Sequence, residues 1–133
     1  MDLNSVGTTM YWCEGSKRDR DYRVEFVNSD PAIIKVFMKF LRTKGIEERR
    51  LRARVSVHDT DDIQECEEFW MRVTSLGPPN FLLASVRRTS PARTPLPHGT
   101  LTIRYNSIEL LRSIKNDISE LSRRLLQDNS SQT

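Results

Sequence analysis

From Arg50 to Val57 the chain alternates polar and apolar residues. Arg50, Arg52, Arg54 and Ser56 take one parity, and Leu51, Ala53, Val55 and Val57 take the other. A period of two belongs to a strand, so this segment buries one face and leaves a row of guanidinium groups on the other. A chain holding such a strand is committed to a sheet with one covered and one polar face. Residues 22–26 repeat the pattern briefly, with Tyr22, Val24 and Phe26 alternating with Arg23 and Glu25.

Four other stretches carry helical spacing. Leu3, Val6, Met10 and Tyr11 suit a helix over 3–14, with Gly15 expected as a left-handed cap. Asp30 caps a second helix with Pro31 in its first position; Ile33, Ile34, Phe37, Met38 and Leu41 form its stripe, and Gly45 stops it. Thr60, Asp61 and Asp62 open a third, which Ile63, Cys66, Phe69, Trp70 and Val73 carry towards Leu76 and Gly77-Pro78-Pro79 breaks. The fourth runs from Ser107 to Leu126 on a seam of Leu111, Ile114, Ile118, Leu121 and Leu125. Residues 81–88 and 100–105 read as two strands around a loop containing Pro91, Arg93, Pro95, Pro97 and Gly99. The order is helix, strand, helix, strand, helix, two strands, helix: an α+β arrangement with no second copy of the first helix. Residues 1–128 are expected as one domain and 129–133 as a disordered tail.

With 37% hydrophobic and 29% charged residues, the 133-residue chain has the balance of a soluble globular protein. No apolar run is long enough to span a membrane, and Asp2 and Asn4 follow Met1 where a signal peptide would be basic and apolar. Cys13 and Cys66 read as reduced core thiols of a cytoplasmic protein, with a disulfide as the alternative. The net charge of +3 is unevenly spread. No acid occurs between Glu68 and Glu109, a stretch holding Arg72, Arg87, Arg88, Arg93 and Arg104, whereas Asp59, Asp61, Asp62, Glu65, Glu67 and Glu68 cluster. That segregation suggests a basic face for a polyanion and an acidic back. The arginine face has a plainer reading too, as charge that keeps a strand from aggregating. His58 and His98 lack partners at metal-ligand spacing and read as structural or solvent-facing, and no zinc-finger or phosphate-loop pattern occurs.

Glu14 is the unusual residue. The helix dipole disfavours a carboxylate at a helix C-terminus by a few tenths to ~1 kcal/mol. Taken locally, Glu14 is a solvated acid. Gly7, Thr8 and Cys13 nearby are small and would admit another helix.

The segment Gly7-Thr8-Thr9-Met10-Tyr11-Trp12-Cys13-Glu14-Gly15 resembles the motif of the LAGLIDADG homing endonucleases in its apolar centre and acid-glycine ending. The likeness continues through Val24-Glu25-Phe26-Val27-Asn28-Ser29-Asp30-Pro31, Glu68-Phe69-Trp70 with Val73-Thr74, and Ile103-Arg104-Tyr105 with Ser107. It runs from Leu3 to Ile114 and points to the divergent, single-motif prokaryotic branch. This motif has Glu where many active members have Asp.

The resemblance implies a saddle-shaped mixed or antiparallel sheet with helices on one face, lying over the major groove of double-stranded DNA. It implies a site-specific endonuclease, homodimeric through the first helix, with Gly7, Thr8, Met10 and Tyr11 at the interface and Trp12 turned into the protomer core. Glu14 and Gly15 of each subunit would hold Mg²⁺ or another divalent cation, with Lys17 as a further catalytic candidate. DNA contacts would come from Lys17, Arg18, Arg20, Arg23, Arg50, Arg52, Arg54, Arg87, Arg88, Arg93 and Arg104. Some relatives have lost the acids, so a non-catalytic DNA-binding or transcription-regulatory module is the alternative.

Overall fold

The computed structural model describes residues 2–16, 22–88 and 96–131. Lys17, Arg18, Arg20 and Arg93 lie outside the described residues. The elements follow the expected order: α1 (Leu3–Glu14), β1 (Arg23–Asn28), α2 (Pro31–Arg42), β2 (Arg52–His58), α3 (Ile63–Thr74), β3 (Ser85–Arg87), β4 (Thr100–Asn106) and α4 (Ile108–Ser131). Local chemistry sets the helix starts. The carboxylates of Asp2, Asp30 and Asp62 accept the N–H groups of Asn4, Ala32 and Glu65, each satisfying a donor the first turn leaves open.

The strands form one mixed sheet in the order β1-β4-β2-β3. β4 is antiparallel to both β1 and β2, and β3 is parallel to β2. The two strands around the proline-rich loop are therefore not partners. β4 buries Leu101, Ile103 and Tyr105 and takes a central place, whereas β3 joins β2 through the α3 crossover, as parallel pairing requires. β3 is also shorter than 81–88. Phe81 makes only an isolated bridge to Ala53, the Leu82 N–H donates to the Ala53 carbonyl, and Leu83 is 90% exposed.

One parity of every long strand faces the helices. Val24 and Phe26, Ala53, Val55 and Val57, and Leu101, Ile103 and Tyr105 are buried together with Tyr11 of α1, Phe37 and Phe40 of α2, Trp70 of α3 and Ile114 of α4. All four helices thus contribute to one core on one side of the sheet. Phe37 lies at its centre, stacked on Phe26 at 4.1 Å with the rings of Tyr11 and Phe40 at 6.1 and 5.8 Å. α1 meets α2 at Gly7, where an added Cβ would fall 2.0 Å from Phe40 Cγ.

α4 continues to Ser131, so the part of the expected tail from 129 to 131 is helical. Its seam leaves the body beyond Leu121, which is half-buried against α1, and Leu125 and Leu126 are exposed. The cysteines also separate. Cys66 is buried as expected, but Cys13 is exposed, and both are free. Burial pushes the Cys66 thiol above its ordinary range, with Asp61 and Glu65 adding to the shift. The native protein should therefore show one DTNB-reactive thiol, and a second only on unfolding. Two fast-reacting thiols in the folded state would contradict this placement.

Candidate nucleic-acid interface and the first-helix carboxylate

The end of α1 is fastened to the sheet by one side chain. The Tyr11 hydroxyl donates to the Ser16 carbonyl at 2.7 Å and accepts the Glu25 N–H at 3.1 Å. The Ser16 N–H donates to the Glu25 carbonyl, and Gly15 bridges Phe26, so residues 15–16 lie along the outer edge of β1. Gly15 is extended, with φ −79° and ψ 155°, and is not the left-handed cap expected. Glycine is needed there for another reason: a Cβ would lie 2.4 Å from the Tyr11 ring. Glu14 is consequently held at the β1 edge with its side chain exposed, and its carboxylate makes no hydrogen bond or ion pair with the described residues.

The same helix phase corrects the expected dimer interface. Gly7, Thr8 and Tyr11 are buried within their own chain, because the small residues that would admit a partner helix admit Phe40 of α2 instead. Met10 alone of the four borders solvent, lining an apolar groove of about 420 Å³ with Val6, Thr9, Cys13 and Glu14. Trp12, expected to turn inward, is 38% exposed.

The sheet face away from the helices carries the charge. β1 presents Arg23, Glu25 and Val27; β4 presents Thr100, Thr102 and Arg104; β2 presents Arg52, Arg54, Ser56 and His58; β3 presents Ser85 and Arg87. Five arginines thus face one glutamate. Glu25 takes ion pairs from Arg23 at 3.1 Å and Arg104 at 3.2 Å. Arg52 donates to the carbonyls of Arg49 and Leu51. Towards β3 the charge is less engaged. Arg54 Nε is buried without a hydrogen-bond partner, and the guanidinium of Arg87 makes no ion pair with the described residues. Arg88, just past β3, is exposed.

Arg50 does not belong to this row. It lies in the 3₁₀ turn Glu48–Arg50, stacks 4.7 Å over the ring of Tyr105 and donates to the Asn106 carbonyl. The strand period begins only at Arg52, so Arg50 escapes the alternation that Arg52 and Arg54 obey. The histidines divide as well. His98 stacks on Phe69 at 3.7 Å, and its carbonyl accepts from the Trp70 indole at 2.8 Å, a structural role as expected. His58 lies on the open face with a buried, unpartnered Nδ1. Its parity with Arg54 and Ser56 was the signal for that position.

Among the described residues, no group of three or more His, Cys, Asp or Glu side chains could hold a metal ion. A single exposed carboxylate nevertheless suits Mg²⁺, which takes one or two carboxylates and fills its other positions with water and phosphate. Glu14 is a carboxylate of that kind.

The class defined by these features is an α+β protein with one helical layer and an open, arginine-bearing sheet face. No helix among the described residues is long and apolar enough to cross a membrane. In comparisons with known families, curated proteins and solved structures, nothing matched this chain.

Proposed function

We propose that this chain is a site-specific, double-stranded DNA endonuclease of the LAGLIDADG type, acting in the cytoplasm as a homodimer with a divalent metal held by Glu14 of each subunit. The observation carrying the reading is that α1 delivers a carboxylate, unpaired among the described residues, to the edge of a sheet whose open face bears Arg23, Arg52, Arg54, Arg87 and Arg104. A polyanion laid on that face meets guanidinium forks suited to phosphate oxygens and guanine edges. Glu14 would hold the divalent cation, which would supply an activated water and positive charge at the leaving oxygen. The Tyr11 hydroxyl keeps that helix end in place.

Strand breaks in a randomised duplex library, dependent on Mg²⁺, would test the activity directly. The interface is tested by anisotropy on a duplex across a salt series. Arg54→Gln should weaken binding at every salt concentration and reduce the salt slope by about 1, the signature of one lost phosphate contact. No binding by the parent protein at low salt would overturn the DNA reading.

The burial of Gly7, Thr8 and Tyr11 within the chain favours a second reading, a non-catalytic DNA-binding module. It shares the salt dependence but predicts no effect of metal and no strand breaks.

A further inference from the structure

We propose that the corner of the open face where β2, β3 and β4 meet is a binding pocket for a phosphate group. A cavity of about 290 Å³ opens there, lined by Ser56, His58, Arg87, Leu96 and Thr100. The register creates it. Ser56 pairs with Thr100 on one side and Ser85 on the other, and His58 pairs with Arg87, so hydroxyls, an imidazole and a guanidinium share one end of one face.

Three observations point to an anion. His58 Nδ1 is buried and has no hydrogen-bond partner among the described residues, an unfavourable state that an incoming ligand would relieve. Arg87 makes no ion pair with the described residues, so its planar fork is available for two phosphate oxygens. No carboxylate of the described residues lines the cavity. Of the acids near it, Asp61 turns its carboxylate onto the His58 backbone N–H at 2.8 Å, Asp59 joins the Arg87 carbonyl through its backbone N–H and is not a lining residue, and Glu25 is engaged by Arg23 and Arg104 beyond β4. The ligand chemistry is therefore tetrahedral phosphate, either the free anion or a phosphodiester of a nucleic-acid backbone. The pocket is separate from Glu14, which lies past the opposite edge of the sheet, outside β1. If the nuclease reading holds, the pocket is a backbone clamp remote from the scissile bond; its existence does not depend on that reading.

Titrating the full chain with inorganic phosphate, followed by ¹H–¹⁵N NMR, tests the pocket. Saturable shifts are expected at the amides of Ser56, His58, Arg87 and Thr100, with none from chloride at matched ionic strength. Arg87→Gln, on an exposed edge strand, should keep the rest of the spectrum and lower phosphate affinity by about tenfold, the loss of one charge-assisted contact. His58→Gln should also weaken it. Absent shifts, saturable shifts confined to another region, or parental affinity in both variants would overturn the proposal. Competition with a duplex separates the sources. If saturating phosphate weakens duplex binding by the parent but not by Arg87→Gln, the ligand is a backbone phosphate. If duplex affinity is unchanged while phosphate still binds, it is the free anion. Both outcomes support the pocket, and a duplex that never binds overturns the DNA reading and not the pocket.

Discussion

Glu14→Gln should bind duplex DNA as the parent does and cut it at least ~10³-fold more slowly, because losing a metal-holding carboxylate forfeits several kcal/mol of transition-state stabilisation. The substitution keeps shape and removes only charge. The side chain is exposed and engages no described residue, so the fold loses nothing on its account. Removing a negative charge from a helix C-terminus even relieves an unfavourable dipole interaction, so thermal stability should hold or rise slightly. This separates a catalytic loss from a folding loss, which is the usual confusion in such experiments. Cutting at the parental rate would remove Glu14 from the mechanism. A parent protein that binds DNA but never cuts it with Mg²⁺ or Mn²⁺ would leave the non-catalytic module standing.

The largest effect on stability is expected from Phe37→Ala, a loss of about 3–5 kcal/mol in denaturant unfolding. Phe37 is fully buried, stacks on Phe26 of β1 and lies beside the rings of Tyr11 and Phe40. Its removal opens a cavity walled by three other rings, from α1, α2 and β1. Marginal stability in small domains makes such a loss a large share of the total. Phe37→Leu, which keeps most of the volume, should cost half as much or less, at about 1.5 kcal/mol. A loss below about 1 kcal/mol for the alanine variant would mean that the cluster repacks and contributes little. The effect also reaches the candidate site, since Tyr11 packs in this cluster and its hydroxyl fastens the end of α1 to β1.

Much of the fold was legible because it rests on local chemistry. The span of α1 follows from the spacing of Leu3, Val6, Met10 and Tyr11 with Gly15 after them, and the start of α2 from Asp30-Pro31. The two faces of β2 follow from residue parity alone, which needs no knowledge of neighbours. Pairing is different. Nothing in residues 81–106 says that β4 will enter between β1 and β2 while β3 joins β2 in parallel, because that choice depends on apolar surface offered by segments far away in the chain. Arg50 shows the same limit on a smaller scale. Its parity matched Arg52, but the Tyr105 ring and the Asn106 carbonyl drew it out of the row.

The candidate site divides along this line. Residue types and their spacing marked Glu14 as an acid at a helix end and Arg52 and Arg54 as one face of a strand, since both statements concern only the periods of helix and strand. Tertiary structure decided which side of α1 meets solvent, because Phe40 fills the space at Gly7 and the Tyr11 ring forbids a side chain at position 15. It also decided which arginines are engaged and which are available, through Glu25, a single carboxylate that reaches Arg23 on its own strand and Arg104 on the next. Periodicity is set by the backbone of each element; partnership is set by what other elements bring within a few ångströms.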